Sequence, residues 1–378
     1  MSLNNEARQA YNQTRSLYRD YTHDMNRETL GRDFHADSNR LKELYREAIG
    51  VSGTNQSSQQ LSALSKLERL TRALAMRLSP VRRLVFGGSM IVFLSHYVLG
   101  FLGFSVNILF PLTAYAGMVM LLLVELLEKL DAKKEIDLAR DIQLSLLPPA
   151  GITHGNLEIV SFANTAQEVG GDYVDAVKTP GGIYYIIADV SGKGLSAALY
   201  MVRMQALVHL LINKFQPTPK DLCLELNEYI KNDRRDKTFV TASVAFFPDK
   251  ADYFDMVRAG HNAPVLYAAD KDAVLDLKTT GFALGMTSTK RLNAFMKETR
   301  VSFKAGDSLL MYTDGLNEAR NPSGEEFGDT KIRSLVELYG ALEAKTMVRK
   351  IQNSLELHLG SGKPGDDVTF SCIKKHVG

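Results

Sequence analysis

Cysteine is scarce in this chain of 378 residues and tryptophan is missing: two of the former, none of the latter. Cys223 and Cys372 lie far apart in sequence. A disulfide framework is therefore excluded as the organising device, and so is a cysteine-ligated metal cluster. A reducing compartment is expected. Excess charge of either sign is also lacking, since 45 Lys and Arg face 43 Asp and Glu, a formal net charge of +2. Nothing in that balance suggests a nucleic-acid surface. The opening stretch MSLNNEARQAYNQTR is polar and holds no apolar run, so it does not read as a secretory signal.

A further absence is local. From Leu84 to Val124 there is no Asp, Glu, Lys or Arg. One spanning helix needs about 20 apolar residues, so this run of roughly 40 is long enough for two. A polar break, GFSVN (Gly103 to Asn107), sits near its middle, and Pro111 follows. Soluble helices rarely lack a charged face for so long. Lys66, Arg69, Arg72, Arg77, Arg82 and Arg83 precede the run; Lys129, Lys133, Lys134 and Arg140 follow it. The connecting turn has no Lys or Arg. The positive-inside rule then puts both ends in the cytoplasm. The expectation is a transmembrane hairpin over residues 81–127, multi-pass in the inner membrane, with His96 neutral and packed against the second helix.

Residues 1–80 read as a cytoplasmic helical region. Gly50 to Gln60 is a flexible linker, and Leu64, Leu67, Thr71, Leu74 and Leu78 form a short seam for helix pairing or for lying on a membrane. After the hairpin, Glu125 to Pro149 is rich in helix formers, and Pro148 should stop the helix. The linker is set at residues 128–149. Its stripe of Leu127, Leu130, Leu138, Ile142 and Ser145 is broken by charge, which suits a weak, adjustable contact between two copies of the chain.

Residues 150–378 form the remaining domain. Short β-branched and aromatic runs such as LEIVSFAN, GIYYIIADV and FVTASVAFF alternate with turn residues. Helical patterns fall at Leu195–Lys214, Pro219–Asn232, Lys331–Tyr339 and Ala344–Leu359. Strand runs broken by helix pairs give an α+β, layered, antiparallel domain.

Acidic residues stand in four places where an apolar strand meets a turn: Asp172 in EVGGDYVD, Asp189 in IIADVSGKG, Asp314 in LLMYTDGLNEA, and Asp366 with Asp367 in GKPGDDVTF. Singly, each is an ordinary turn aspartate. Brought together, ionised carboxylates repel unless a cation compensates. With no His/Cys cluster, an all-oxygen site points to Mg²⁺ or Mn²⁺, and two such ions can activate a water for displacement at phosphorus. Competing chemistry lacks its residues. The Gly-Lys of SGKG is followed by Gly194, not by the Ser or Thr of a P-loop, and no G-x-S-x-G elbow is present. The GGD of diguanylate cyclases occurs in GGDYVD, but that reading leaves TDG and GDDVT without a role.

The ordered set LARDIQLSLLPP, GGDYVDAV, IADVSGKGLSAALYM, FVTASVAFF, AGHNAPVLY, LLMYTDGLNEARNPSGEEFG and GDDVTF resembles the SpoIIE/RsbU branch of the PPM-type, metal-dependent protein serine/threonine phosphatases, over roughly residues 135–375. The resemblance implies two packed antiparallel β-sheets flanked by helices, with a dinuclear Mn²⁺ or Mg²⁺ centre at one end. By motif, Asp189 would bridge both ions with the Val190 carbonyl assisting, Asp172 would serve the second ion, and Asp314 and Asp366 would hold the first. Asp367 belongs to the same acidic pair, but the family's leading Asp aligns with Asp366. A metal-activated water would attack phosphoserine or phosphothreonine on a regulatory protein, typically an anti-sigma-factor antagonist. The helices GLSAALYMVRMQALVHLL and DLCLELNEYIKND would adjust the metal site, and a helical linker would regulate it, often in a homodimer. The resemblance supplies no phosphate-gripping arginine here, Arg203 and Arg258 reading as structural, and His261 reads as a turn stabiliser. Lys193 reads as solvent-exposed. The alternative is a catalytically silent module that binds a partner; the filled ligand positions argue against it.

Overall fold

The structure is a computed structural model of the chain and describes residues 79–103, 108–146, 148–149, 151–166, 169–232, 238–360, 362 and 364–377. The readings above for residues 1–78 and for the turn at 104–107 lie outside them. The chain divides into two compact units, residues 1–130 and 131–378.

In the first unit, α1 (Pro80–Phe101) is followed by the start of α2 (Leu109–Leu146). Pro80 suits the first helical turn, where its missing N–H has no partner to lose. Large apolar side chains such as Leu84, Ile91, Phe101 and Leu122 face outward. Small residues line the helix contact instead. Ser89 and Ala114 are buried, and a Cβ on Gly117 would lie 2.5 Å from Ser89 Oγ. Small residues inside and large apolar ones outside is how helices pack in lipid. Arg82 pairs with Glu125 at 3.1 Å and also with Glu128, so the flanks of the charge-free run meet.

Among the described residues the second unit is built on eleven strands: β1 (Gly151–His154), β2 (Leu157–Asn164), β3 (Asp172–Thr179), β4 (Gly182–Val190), β5 (Val240–Pro248), β6 (Tyr253–Ala259), β7 (Val265–Ala268), β8 (Ala273–Asp276), β9 (Thr299–Ser302), β10 (Ser308–Tyr312) and β11 (Val368–Lys375). They form two sheets, β1-β2-β11-β10-β7-β8 and β3-β4-β5-β6-β9. Each strand pairing is antiparallel. The helices are α3 (Leu195–Phe215), α4 (Pro219–Asn232), α5 (Thr289–Phe295), α6 (Asp314–Asn317), α7 (Asp329–Tyr339) and α8 (Ala344–Leu359).

Strand alternation sorts the core into layers. On β4, Ile183, Tyr185 and Ile187 join Ile159, Phe254, Leu309, Met311 and Ile373 between the sheets. The intervening Tyr184, Ile186 and Ala188 pack with α3 and α4 through Met201, Met204, Val208, Leu222 and Leu226. On the far side, Leu310, Phe370 and Cys372 pack against α7 and α8 through Ile332, Val336, Met347 and Ile351. This is the layered α+β sandwich expected above.

Three described helices are long and apolar enough to cross a membrane: Val81–Phe101, Pro111–Leu146 and Leu195–Phe215. The third is α3, and its apolar character has another cause. Ala197, Ala198, Met201, Met204, Val208 and Ile212 are buried on the second sheet.

Candidate metal centre

The alternation that builds the inter-sheet core also delivers the carboxylates. Asp189 continues the Ile183, Tyr185, Ile187 face at the end of β4, and Asp172, opening β3, is its direct cross-strand partner. Like charges directly opposite on one face destabilise a sheet pair. From the other sheet come Asp314, two residues past β10, and Asp366 with Asp367, just before β11. The two groups face each other electrostatically. Asp189 is pushed up to about 7 by burial first, then by Asp314, Asp366 and Asp367. Asp172 is raised well above the ordinary carboxylate range by burial, then by Asp189. Burial, with Asp366 next, raises Asp314, and burial raises Asp367. All the sequence-derived acidic residues are thus brought to one end of the sandwich.

Three of these carboxylates, Asp172, Asp366 and Asp367, have side-chain or backbone partners. Thr313 donates its hydroxyl to Asp172 Oδ2 at 2.9 Å, and the Thr369 amide donates to Thr313 Oγ1 at 3.0 Å. Asp367 accepts from the Ala166 amide at 2.8 Å and the Gly171 amide at 2.7 Å. Its carboxylate thereby holds the turn that leads into Asp172. Lys193 Nζ pairs with Asp366 Oδ2 at 2.8 Å and donates to the Gly365 carbonyl at 3.0 Å. Lys193 is half exposed, as its setting in SGKG suggested, but its ammonium is engaged with the acidic cluster rather than with solvent alone.

Glycine is required where these segments touch. A Cβ on Gly315 would lie 1.8 Å from the Asp367 carbonyl oxygen, and one on Gly171 2.9 Å from the Val190 carbonyl oxygen. The same Cβ would lie 3.5 Å from Asp189 Oδ1, so the Val190 carbonyl and the Asp189 carboxylate both lie against Gly171.

Among the described residues, no three His, Cys, Asp or Glu side chains close together as a finished metal cage. The donor chemistry nevertheless fits a hard divalent cation. The donors are carboxylates and a carbonyl at strand ends, and a cation would offset the burial and like-charge repulsion that raise Asp172 and Asp189.

His261 lies beside this centre. It is buried, its Nδ1 is 2.9 Å from Thr241 Oγ1, and Thr241 is the cross-strand partner of Asp189. Burial, then the Arg258 guanidinium, lowers its pKa to about 3. It is therefore neutral at ordinary pH and holds position rather than moving protons. Arg258 spends its donors on the Thr279 and His261 carbonyls, and Arg203 stacks on Tyr229 and donates to its hydroxyl at 2.6 Å. Both guanidinium groups are thus engaged by neighbouring protein groups.

Sequence reasoning missed Thr313 and the pairing of Lys193. It also missed Gln143, the buried residue of the linker segment. Thr313 stood in the quoted TDG string, where the aspartate alone drew notice. Gln143 stood beside Ile142, which the apolar periodicity favoured, yet Ile142 is exposed.

Comparison with known proteins was made against this geometry. The family model "Stage II sporulation protein E (SpoIIE)" matches residues 179–376. Phosphoserine phosphatase RsbU of Bacillus subtilis is 26% identical over 250 residues, 65% of this chain and 72% of that protein. Protein IcfG of Synechocystis is 25% identical over 273 residues, 64% of this chain and 42% of that protein. Among solved structures, the SiaA-PP2C domain of Pseudomonas aeruginosa superposes with a TM-score of 0.56 at 18% identity, covering 65% of this chain and 98% of that one. The RsbU and RsbW domains of Rv1364c from Mycobacterium tuberculosis give a TM-score of 0.51 at 22% identity, covering 60% of this chain and 62% of that one.

Proposed function

The chain belongs to the SpoIIE family, matched over residues 179–376, and from that premise we propose that it is a metal-dependent serine/threonine phosphoprotein phosphatase anchored in a membrane. The observation that carries the reading is the meeting of Asp172 and Asp189 from one sheet with Asp314 and Asp366 from the other. These four, with the Val190 carbonyl, would hold two Mn²⁺ or Mg²⁺ ions. Such ions supply positive charge for a phosphoryl group and lower the pKa of a water.

The chain's own residues have distinct parts in this reading. Asp367 has its oxygens committed to two backbone amides, so it serves the site chiefly by fixing the Gly170–Gly171 turn. Thr313 orients Asp172 and crosses from one sheet to the other in doing so. Lys193 balances part of the negative charge at the mouth of the cleft and holds Asp366 toward it. His261, neutral and buried, supports Thr241 behind Asp189.

The substrate is a phosphoserine or phosphothreonine on a regulatory protein, and the enzyme acts as a homodimer held through the linker helix; the kinship with a phosphoserine phosphatase supports the first part. An anti-sigma-factor antagonist is the class of protein that fits the family. The domain limits we assign are a helical region at 1–80, a transmembrane hairpin at 81–127, a linker at 128–149 and the phosphatase domain at 150–378. The apolar exterior of α1 and α2 supports the hairpin.

The test is direct. The full chain in detergent should release phosphate from a phosphoserine protein in the presence of Mn²⁺, and Asp314→Asn should reduce the rate by at least about 100-fold, the scale on which loss of charge stabilisation at a reacting centre is felt. An inactive wild type would end the phosphatase reading. A fully active Asp314→Asn would end the assignment of Asp314 as a metal ligand.

A further inference from the structure

The segment 131–146 of α2 carries a reversed pattern. Its large apolar residues Leu138, Ile142 and Leu144 are exposed, whereas the polar Gln143 is buried. A buried amide needs partners, and Gln143 finds both in one residue. Its Nε2 donates to the Gly170 carbonyl at 2.6 Å, and its Oε1 accepts from the Gly170 amide at 3.2 Å. The next residue, Gly171, donates its amide to Asp367 and accepts from the Val190 amide at 3.3 Å. Asp172 comes immediately after. The turn is too tight for side chains, since a Cβ on Gly170 would lie 2.4 Å from Asp367 Oδ2. With no side chain on Gly170 to hold the turn, its backbone must be held from outside.

We infer that Gln143 is a positioning residue for the metal centre: by clasping the Gly170 backbone, it fixes the turn that joins Asp367 to Asp172, and this fixed turn raises the affinity of the site for divalent cations. The inference rests on the metal-dependent reading above. It assigns Gln143 no contact with substrate or metal.

A second tie makes the inference separable from simple adhesion of the helix. Gln205 on α3 donates to the Leu146 carbonyl at 2.6 Å. That bond also holds the end of α2, but it does not touch the Gly170–Gly171 turn. Loosening the helix through Gln205 and unclasping the turn through Gln143 should therefore differ.

The experiment uses the full chain in detergent, stripped of metal, with three readouts: Mn²⁺ binding by calorimetry, hydrogen exchange over residues 165–174 by mass spectrometry, and thermal midpoint. Gln143→Ala should raise the Mn²⁺ concentration for half-saturation about five- to tenfold, the scale of one or two net hydrogen bonds and of outer-shell support at metal sites. It should also speed exchange at the turn, while kcat at saturating Mn²⁺ stays within about twofold. Gln143→Met, which keeps the volume without the hydrogen bonds, should behave alike and covers the case in which the alanine variant does not fold. Gln205→Ala should lower the midpoint comparably but shift Mn²⁺ affinity less than about twofold. Unchanged Mn²⁺ affinity in both Gln143 variants would overturn the inference while leaving the phosphatase reading standing, and so would an equal shift in Gln205→Ala. A wild type that takes up no Mn²⁺ would overturn the metal-dependent reading and the inference with it.

Discussion

His261 illustrates how burial decides what a side chain can do. In the sequence it was a lone histidine in AGHNAP, open to a catalytic or a structural role. In the fold it is buried beside Arg258, and its pKa is lowered to about 3. The free imidazole of an unfolded chain titrates near 6.5. Below that pH the unfolded state gains a proton that the folded state refuses. Stability contributed by the neutral imidazole is thus fully present above about pH 6.5 and is lost as pH falls toward 3, at about 1.4 kcal/mol per unit at most. Urea unfolding of metal-free protein at pH 7 and pH 5 gives the net slope, to which the raised Asp172 and Asp189 contribute with the opposite sign. His261→Gln, which cannot titrate, should remove the imidazole's share, so that the variant gains stability relative to wild type as pH falls from 7 to 5 even if it is less stable at pH 7. A slope unchanged in His261→Gln would assign the acid sensitivity to other groups.

The elements of the second unit were largely legible because two periodicities and turn chemistry agree there. β2, β4, α4 and α8 fall on the residues read from sequence. The misses are short. β1, β8, α5 and α6 are four to seven residues each, too brief for a period to assert itself, and β1 and β8 exist by pairing with a neighbour. The candidate site was legible as residue types at strand ends, but its supports were not. Thr313 and Gln143 act across distances of 141 and 27 residues in sequence, where no local pattern reports. The apolarity of α3 raises the opposite problem, since composition alone would allow it to span a membrane. Its burial pattern predicts a sharp asymmetry. Met201, fully buried under the second sheet, should not tolerate a charge: Met201→Asp should cost more than about 4 kcal/mol, the range for an unpaired charge or a ruined core position. Leu199, which is 61% exposed, should accept Asp within about 1 kcal/mol. Denaturant unfolding of both variants measures this directly, and a membrane-buried α3 would instead make Leu199→Asp the damaging change.

At the scale of the whole molecule, the remaining question is on which side of a membrane the chain's halves lie. The first unit has the features of a pair of lipid-facing helices: apolar side chains outward, and small residues Ser89, Ala114 and Gly117 inward. Arg82, Glu125 and Glu128 join at the open end of the pair. Charges are costly in hydrocarbon and settle at its edge, so in the proposed hairpin that ion-pair cluster would mark one boundary, shared by both flanks. The flanks carry Lys and Arg where the connecting turn has none, and on that asymmetry we propose that the shared side is the cytoplasm. A reporter active only outside the membrane, fused after residue 106, should be active, and the same reporter fused after residue 140 should be silent. Reversed signals would invert the orientation. Equal signals at both positions would mean that the charge-free run does not make a hairpin, and the lipid-facing reading of its exposed Leu84, Ile91 and Leu122 would fall with it.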